Sequence, residues 1–327
     1  MKKLVIIEVC VLIALIIAAA VMWFMPMEPA ISAGDLSMDT TASYTETLVT
    51  QQTEVPGPTW NVYPEDRQLL AQQYFVYDCK ENTFLITSGQ AEERIYPASI
   101  TKLFTAYVAM QYVSPETEIT AGGALDLVAW GSSVAKIQKG DVLTGEQLVE
   151  AMILPSGNDA AYILACQAGR MIKNDPQLGA SAAVDAFMEE MNRQAQDVGM
   201  TGTHFVNPDG IHDKNHYTTF ADLVILGKLA IADATIMRYA ATPEEEVALH
   251  GETILWKNTN RLINPANPYY CPYAIGLKTG QTPSAGSCLL SAFRTEDKEL
   301  LIGVFGCPEE TDRFDDTLQL FNQIVLK

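Results

Sequence analysis

Apolar and polar positions alternate in short segments at both ends of the chain beyond residue 70, and helical periodicity fills the middle. Residues 73–79 and 83–88 are rich in β-branched and aromatic side chains, and Lys80-Glu81-Asn82 between them is typical of a turn. A second group of strands is predicted near the C-terminus, at 246–256, 273–278, 285–295 and 300–306. The pattern therefore predicts one sheet assembled from both ends of the domain.

Helical segments separate the two groups of strands. They are predicted at 99–113, 144–153, 159–171, 181–198, 220–232 and 313–325. The first of them is apolar on most sides, so we expect a buried helix. Thr144-Gly145-Glu146-Gln147 has the pattern of a capping box, and we expect Thr218 to cap the helix that begins at Phe220. The predicted class is α/β (α+β), an antiparallel sheet flanked by helices, with an all-helical lobe inserted.

The N-terminal 25 residues have a different character. Lys2 and Lys3 precede a run from Leu4 to Met25 that is apolar apart from Glu8 and matches the roughly 20 residues a membrane helix needs. The lysines predict that the N-terminus stays inside, so we favour an uncleaved membrane anchor at 1–25 over a cleaved signal peptide. Residues 26–58 are rich in Thr, Ser, Pro and acidic residues, and they predict a flexible tether to a folded domain at 59–327.

Charge and cysteine content narrow the possible partners. The formal net charge is −19, so phosphate repulsion argues against nucleic acid as a partner. Outside the apolar N-terminal run the five cysteines are widely spaced, and neither a C-x-x-C pair nor a His-rich cluster is present. We therefore expect no metal site. Free buried thiols are the default for these cysteines, and the sequence leaves any disulfide pairing open.

Ser99 and Lys102 are the first candidate catalytic pair. If a helix begins at Ser99, Lys102 lies one turn further on the same face. A serine needs a base to become nucleophilic, and a buried lysine can be that base because burial lowers its pKa. The alternative is a helix N-cap beside a surface lysine. A second S-x-x-K copy, at Ser133 and Lys136, is predicted to form a short strand. In a strand the lysine would point away from the serine.

Two more short motifs follow in chain order. Ser156-Gly157-Asn158 interrupts the helices, so Ser156 could relay a proton while Asn158 holds Lys102 and a substrate amide. Lys278-Thr279-Gly280 lies at a predicted strand end, where the lysine and threonine could bind a carboxylate and the glycine would let a substrate backbone approach. Each motif alone has a structural alternative as a turn or a strand end, but the ordered set is hard to explain that way.

With these three motifs the chain resembles the low-molecular-mass penicillin-binding proteins that act as D-alanyl-D-alanine carboxypeptidases. The resemblance covers about residues 70–327. It includes Trp130-Gly131-Ser132-Ser133, Leu154 through Ala161, Asn207-Pro208-Asp209-Gly210, His216-Tyr217-Thr218-Thr219 with Asp222, Asn258-Thr259-Asn260, and Lys278 through Gly286. Many members carry a β-rich domain and an amphipathic anchor after the catalytic domain. We expect both to be absent here, with the N-terminal helix as the anchor.

The resemblance implies a β-lactamase/transpeptidase-like fold and a set of roles. Ser99 would attack the carbonyl between two D-alanines of a peptidoglycan stem peptide, Lys102 would take its proton, and Ser156 and Asn158 would relay the proton and position the peptide. The substrate-binding set would also include Lys278, Thr279, Gly280 and Gln281, with the backbone N–H groups of Ser99 and Gln281 as the oxyanion hole. No cofactor is implied, β-lactams would be covalent inhibitors, and the enzyme would lie at the outer face of the bacterial membrane.

Three rival functions use the same scaffold. A class A β-lactamase needs a second carboxylate for its deacylating water, and the candidate pair Glu189-Glu190 reads better as a solvated helix face. A D,D-endopeptidase would use the same residues. A membrane-bound penicillin-binding or sensing module would acylate but hardly turn over. We do not assign the four histidines to a catalytic triad, and His216 is expected to be structural.

Overall fold

The computed structural model of the protein describes residues 60–64 and 66–326. The predicted anchor at 1–25 and the predicted tether at 26–58 lie outside these residues. Within the described part, we find no helix that is both long and apolar enough to cross a membrane.

Nine strands are present among the described residues. They are β1 (Gln73–Asp78), β2 (Thr83–Thr87), β3 (Glu118–Thr120), β4 (Val142–Thr144), β5 (Glu244–Leu249), β6 (Glu252–Lys257), β7 (Ala274–Thr282), β8 (Gly286–Arg294) and β9 (Glu299–Cys307). Five of them form an antiparallel sheet in the order β2-β1-β9-β8-β7. Because β1 pairs with β9, the prediction of a sheet built from both ends of the domain is confirmed. The region predicted as a strand at 246–256 is not part of it, since β5 and β6 form a separate two-stranded sheet, as do β3 and β4.

Seven α-helices accompany these strands in the same part of the chain. They are α1 (Thr101–Ala109), α2 (Gly145–Ile153), α3 (Asn158–Lys173), α4 (Ala180–Asp197), α5 (Phe220–Ala232), α6 (Ala234–Ala240) and α7 (Asp312–Val325). The predicted capping box at the start of α2 is confirmed, with Gln147 N donating to Thr144 Oγ1 over 3.2 Å and Thr144 N donating to Gln147 Oε1 over 2.9 Å. The cap of α5 is Thr219 rather than the predicted Thr218, because the Thr219 hydroxyl accepts from Asp222 N.

Several elements differ from the predicted ones. The single strand expected at 246–256 is the hairpin β5–β6, because His250 and Gly251 both have positive φ, as a tight hairpin turn requires. The strand expected to end at Lys278 continues to Thr282. Helix α6 was missed because seven residues are too few to show a period; the Asp233 side chain caps its first turn.

Apolar residues cover both faces of the sheet. On one face α7 packs Phe314, Leu318 and Phe321 against strand residues such as Phe293 and Ile302. On the other face a larger cluster joins the sheet to α1 and to the helical lobe. Helix α1 lies inside this cluster, and its positions 101–106 are all buried. Helix α1 therefore belongs to the core shared by the sheet and the helical lobe, and the residues that precede it contact Gly280 of β7.

Candidate active site

Ser99 lies in a turn of 3₁₀ helix, Ala98–Ile100, that leads directly into α1. The predicted helix at 99–113 therefore starts at Thr101 and ends at Ala109. Ala98 has a φ of 48°, a left-handed conformation that non-glycine residues rarely adopt. Because such strain is held in place only by its surroundings, the turn must be fixed by what packs against it.

Two glycines let neighbouring backbone approach this turn. A Cβ at Gly280 of β7 would lie 2.8 Å from Pro97 O and 3.1 Å from Ser99 N. A Cβ at Gly210 would lie 1.9 Å from Ala98 O, and Gly210 also has a φ of 83°. Any larger residue would push away the strand or the loop, so both glycines are required for the close approach.

Lys102 lies directly beneath Ser99 and is completely buried. Its Nζ is 2.8 Å from Ser99 Oγ and donates a second hydrogen bond of 2.8 Å to the carbonyl oxygen of Asp209. Burial lowers the pKa of Lys102 from its usual value to about 8, although the nearby Asp209 and Asp159 carboxylates raise it. The pair can therefore act as nucleophile and base near neutral pH.

The loop between α4 and α5 supplies the Asp209 carbonyl and is anchored to α1. The Thr105 hydroxyl donates to Pro208 O over 2.7 Å, and Thr101 Oγ1 lies 2.8 Å from His216 Nε2. Burial lowers the pKa of His216 to about 3, so this ring is neutral at ordinary pH. These contacts agree with a structural role for His216.

Ser156 and Asn158 occupy the sharp break between α2 and α3. Ser156 has a φ of 62°, and the break is held by the Ser133 hydroxyl, which donates to Pro155 O over 2.8 Å. Asn158 N donates to Ser133 O over 2.9 Å, while the buried Asn158 Oδ1 has no partner. The expectation that Asn158 holds Lys102 was wrong, because the Lys102 hydrogen bonds go to Ser99 and to the Asp209 carbonyl.

Lys278 and Thr279 lie in the middle of β7, not at a strand end as the sequence suggested. The strand is at the edge of the sheet, so one side of it faces the Ser99 turn instead of another strand. Lys278 Nζ donates to Thr259 Oγ1 over 3.3 Å, and the Thr259 and Thr279 hydroxyls are 2.6 Å apart. Burial, Lys102 and Arg313 together hold the pKa of Lys278 well below its usual value.

Two sequence alternatives can be compared with the structure. The second S-x-x-K copy does not form a strand; Lys136 has a φ of 67° and lines a cavity that does not contain Ser133. The Ser133 hydroxyl donates to Pro155 O, so the serine and lysine of this copy do not form a hydrogen-bonded pair. The Glu189-Glu190 face is only half solvated, because Glu190 is 11% exposed and accepts from Arg193, Tyr112 and Gln194. Those hydrogen bonds lower the pKa of Glu190 to about 2.

A cleft of about 230 Å³ opens above the nucleophile. It is lined by Ser99, Asn158 and the segments 131–133, 209–211 and 281–283. Among the predicted site residues, Ser99, Asn158 and Gln281 face the cleft, whereas the others lie behind or beside it. No cluster of three or more His, Cys, Asp or Glu side chains suited to a metal occurs among residues 60–64 and 66–326. All five cysteines there are free thiols.

Sequence reasoning missed four contributions to this site. They are Ser133 in the cleft wall, the Asp209 carbonyl beneath Ser99, the Thr259 hydroxyl beside Lys278, and the Arg313 guanidinium, which donates to Gly280 O over 3.2 Å. The first three lie in segments that carry the family resemblance. Arg313 belongs to no recognisable sequence motif, and only the folded structure brings α7 next to β7.

Comparison with known proteins identifies the family. The model of the D-alanyl-D-alanine carboxypeptidase family, peptidase S11, matches residues 61–309. The chain belongs to this family. The match covers the sheet, the helical lobe and all three short motifs, so the family assignment rests on the whole site and not on one segment of it.

Individual relatives support the assignment. The chain is 31% identical over 242 residues to a D-alanyl-D-alanine carboxypeptidase of Streptomyces sp. strain K15, covering 71% of this chain and 79% of that protein. It is 26% identical over 233 residues to DacF of Bacillus subtilis, covering 70% and 56%. The crystal structure of the Streptomyces K15 DD-transpeptidase superimposes with a TM-score of 0.69 at 29% identity, covering 78% and 97%. The fold is thus the transpeptidase/β-lactamase-like fold that we expected.

Coverage of the relatives is unequal. The chain spans about half the length of DacF and of DacC from Escherichia coli, since 56% of each is matched. The Streptomyces structure is matched almost completely. The shared part is therefore the domain that carries Ser99.

Proposed function

We propose that the chain is a serine-type D-alanyl-D-alanine carboxypeptidase that removes the terminal D-alanine from peptidoglycan stem peptides. The observation that carries this proposal is the 2.8 Å hydrogen bond between Lys102 Nζ and Ser99 Oγ, made by a lysine that is completely buried. Because its pKa is lowered to about 8, a useful fraction of Lys102 is neutral near pH 7 and can accept the serine proton.

In the proposed acylation, Ser99 Oγ attacks the carbonyl carbon between the two D-alanines as its proton moves to Lys102. The oxyanion is bound by the backbone N–H groups of Ser99 and Gln281, both of which line the cleft. Ser156, in the break between α2 and α3, relays the proton to the leaving nitrogen, and Asn158 positions the peptide with its unpartnered Oδ1. Water then releases the acyl chain.

Lys278 and Thr279 would bind the free C-terminal carboxylate of the substrate. Lys278 lies near two other buried basic groups in a strongly acidic protein, Lys102 and Arg313, and Arg313 also pairs with Glu310 over 2.9 Å. A bound carboxylate would relieve the repulsion among them, which is a physical reason for the enzyme to require a free C-terminus. Gly280 lets the Ser99 turn lie against β7, so that the nucleophile stands beside the strand that would bind the substrate.

We further propose that the catalytic domain, residues 59–327, works on the outer face of the bacterial membrane in cell-wall maturation. Residues 1–25 would anchor it and residues 26–58 would serve as the tether. β-Lactams, which mimic the substrate, would acylate the same serine. The support for anchoring is the apolar run after Lys2 and Lys3.

Release of D-alanine from a pentapeptide tests the proposal. The full chain is expected to release one D-alanine per peptide, and Ser99→Ala to release none, while Ser114→Ala, a change of an exposed serine after α1, behaves like the unsubstituted protein. Acylation without D-alanine release would identify a slow-turnover penicillin-binding module. Hydrolysis of β-lactams at a rate comparable to peptide turnover would identify a β-lactamase.

A further inference from the structure

Titratable side chains from several elements lie near Lys102. Asp159 from α3 and Asp209 from the loop between α4 and α5 act on the pKa of Lys102, and Lys102 in turn acts on those of His216 from the same loop and Lys278 from β7. Arg313 from α7 acts on Lys278, and each of these five residues is at most 3% exposed. Buried charges interact strongly because little water screens them. A carboxylate among these groups would therefore stabilise the positive charge that forms on Lys102 during catalysis.

The Asp159 carboxylate already has a structural task. Its Oδ1 accepts from Ala135 N and Ala160 N, both over 2.9 Å, and its Oδ2 accepts from Ile137 N over 3.1 Å. These three hydrogen bonds fix the cleft wall to the start of α3. His216 is neutral, and Lys278 and Arg313 carry the wrong sign to balance an ammonium group.

Asp209 differs from Asp159 in the contacts of both its backbone carbonyl and its carboxylate. Its carbonyl oxygen accepts from Lys102 Nζ over 2.8 Å and lies 3.4 Å from Ser99 Oγ. Its carboxylate Oδ1 accepts from Ile211 N over 3.1 Å, but Oδ2 is buried without a partner. A buried carboxylate oxygen without a hydrogen bond is costly, and it calls for a functional explanation. Burial raises the pKa of Asp209, and the charge on Lys102 opposes that shift, so an ammonium group on Lys102 favours the ionised form of Asp209.

We infer that the Asp209 carboxylate is the counter-ion of the ammonium group that forms on Lys102 during acylation, which makes Asp209 a positioning residue for the reaction. In that step the Ser99 O–H bond breaks, the Oγ–C bond forms, the proton and its positive charge go to Lys102, and the negative charge goes to the carbonyl oxygen. Asp209 gains and loses no atoms. The inference rests on the proposed function.

The sign of the effect follows from the charges. A neighbouring carboxylate favours the ammonium form, so Asp209 raises the pKa of Lys102 while burial lowers it. Removing the charge should leave Lys102 a weaker base that is neutral at lower pH. A weaker base accepts the serine proton less readily, so the rate at the plateau should also fall.

The test is the pH dependence of the rate at which penicillin acylates the full chain. For the unsubstituted protein we expect the rate to rise with pH to a plateau, with a midpoint near the Lys102 pKa of about 8. For Asp209→Asn we expect the midpoint to move down by ~1 pH unit and the plateau to fall by about tenfold. Asp213→Asn removes a carboxylate from the same loop outside the cleft lining, and it should leave both quantities unchanged.

A midpoint for Asp209→Asn that equals that of the unsubstituted protein would overturn the inference, even if the plateau falls, because the loss of a counter-ion must lower the pKa of Lys102. If the variant does not fold, ¹³C NMR of the unsubstituted protein decides. The Asp209 carboxyl carbon and Lys102 Cε should then respond in the same pH range, as coupled groups do. A carboxyl chemical shift that stays constant over the pH range in which Lys102 titrates would refute the pairing.

The outcomes also separate this inference from the proposed function. If Ser99→Ala is still acylated, the proposed function itself fails. If acylation maps to Ser99 but its pH midpoint is insensitive to Asp209, only the counter-ion role fails.

Discussion

Replacing Lys278 with glutamine removes one positive charge from the middle of β7 and keeps a hydrogen-bonding side chain of similar length. The lysine is completely buried, and its Nζ donates to Thr259 Oγ1 and to Thr279 O, both over 3.3 Å. A glutamine amide can donate to the same oxygens. The substitution therefore isolates the charge from the packing of the strand.

The magnitude follows from the proposed contact with the substrate carboxylate. A hydrogen bond to a charged group contributes roughly 1.5–3 kcal/mol, so its loss should lower kcat/KM by about 10- to 150-fold. Burial and the cations of Lys102 and Arg313 hold the Lys278 pKa low in the free protein. A bound carboxylate opposes both effects and favours the ammonium form, so the benefit of the charge appears when that substrate binds.

The assay compares two substrates that differ only at the C-terminus, one with a free carboxylate and one with an amide. For Lys278→Gln, the loss in kcat/KM should be large for the acid and much smaller for the amide. Lys173→Gln, which changes a half-exposed lysine at the end of α3, should affect neither substrate. Equal losses for both substrates would mean that Lys278 supports the fold or the proton relay, and carboxylate recognition would have to be abandoned.

Two further substitutions test the architecture around the site. In Gly280→Ala the new methyl group would lie 2.8 Å from Pro97 O and 2.9 Å from Ala98 Cβ. We therefore expect the Ser99 turn to shift and penicillin acylation to slow by about 10²-fold. An unchanged rate in stopped-flow measurements would show that the contact is not required. Thr144→Ala removes the cap of α2 and should lower the free energy of unfolding by about 1 kcal/mol in urea titrations without changing acylation; unaltered stability would mean that the capping box contributes nothing.

The sequence was sufficient to predict the order of strands and helices in the domain, because the hydrophobic periodicity of most segments is strong and depends only on nearby residues. Strands at both ends and helices between them led to one sheet, and β1 does pair with β9. The hairpin β5–β6 was read as one strand because alternation continues through a two-residue turn, and only the positive φ of His250 and Gly251 reveals the reversal. Helix α6 is too short for its period to be visible.

The motifs of the site could be predicted from the sequence, but the hydrogen bonds that connect them in the structure could not. Ser99 and Lys102 are neighbours in sequence, so their contact follows from helical geometry, and it is present at 2.8 Å. The Asp209 carbonyl and the Thr259 hydroxyl come from loops more than 100 residues away from Lys102, and no local rule brings them together. Lys278 was placed at a strand end because Thr279 and Gly280 look like a terminus, whereas the close approach to Pro97 explains the glycine inside the strand.

Ser99, activated by Lys102, is the proposed nucleophile. Treatment of the full chain with benzylpenicillin, followed by peptide mass spectrometry to locate the mass increase, tests this role. We predict one adduct, on the peptide that contains Ser99, and no adduct in Ser99→Ala. An adduct that maps to Ser133, or one that persists in Ser99→Ala, would contradict the account.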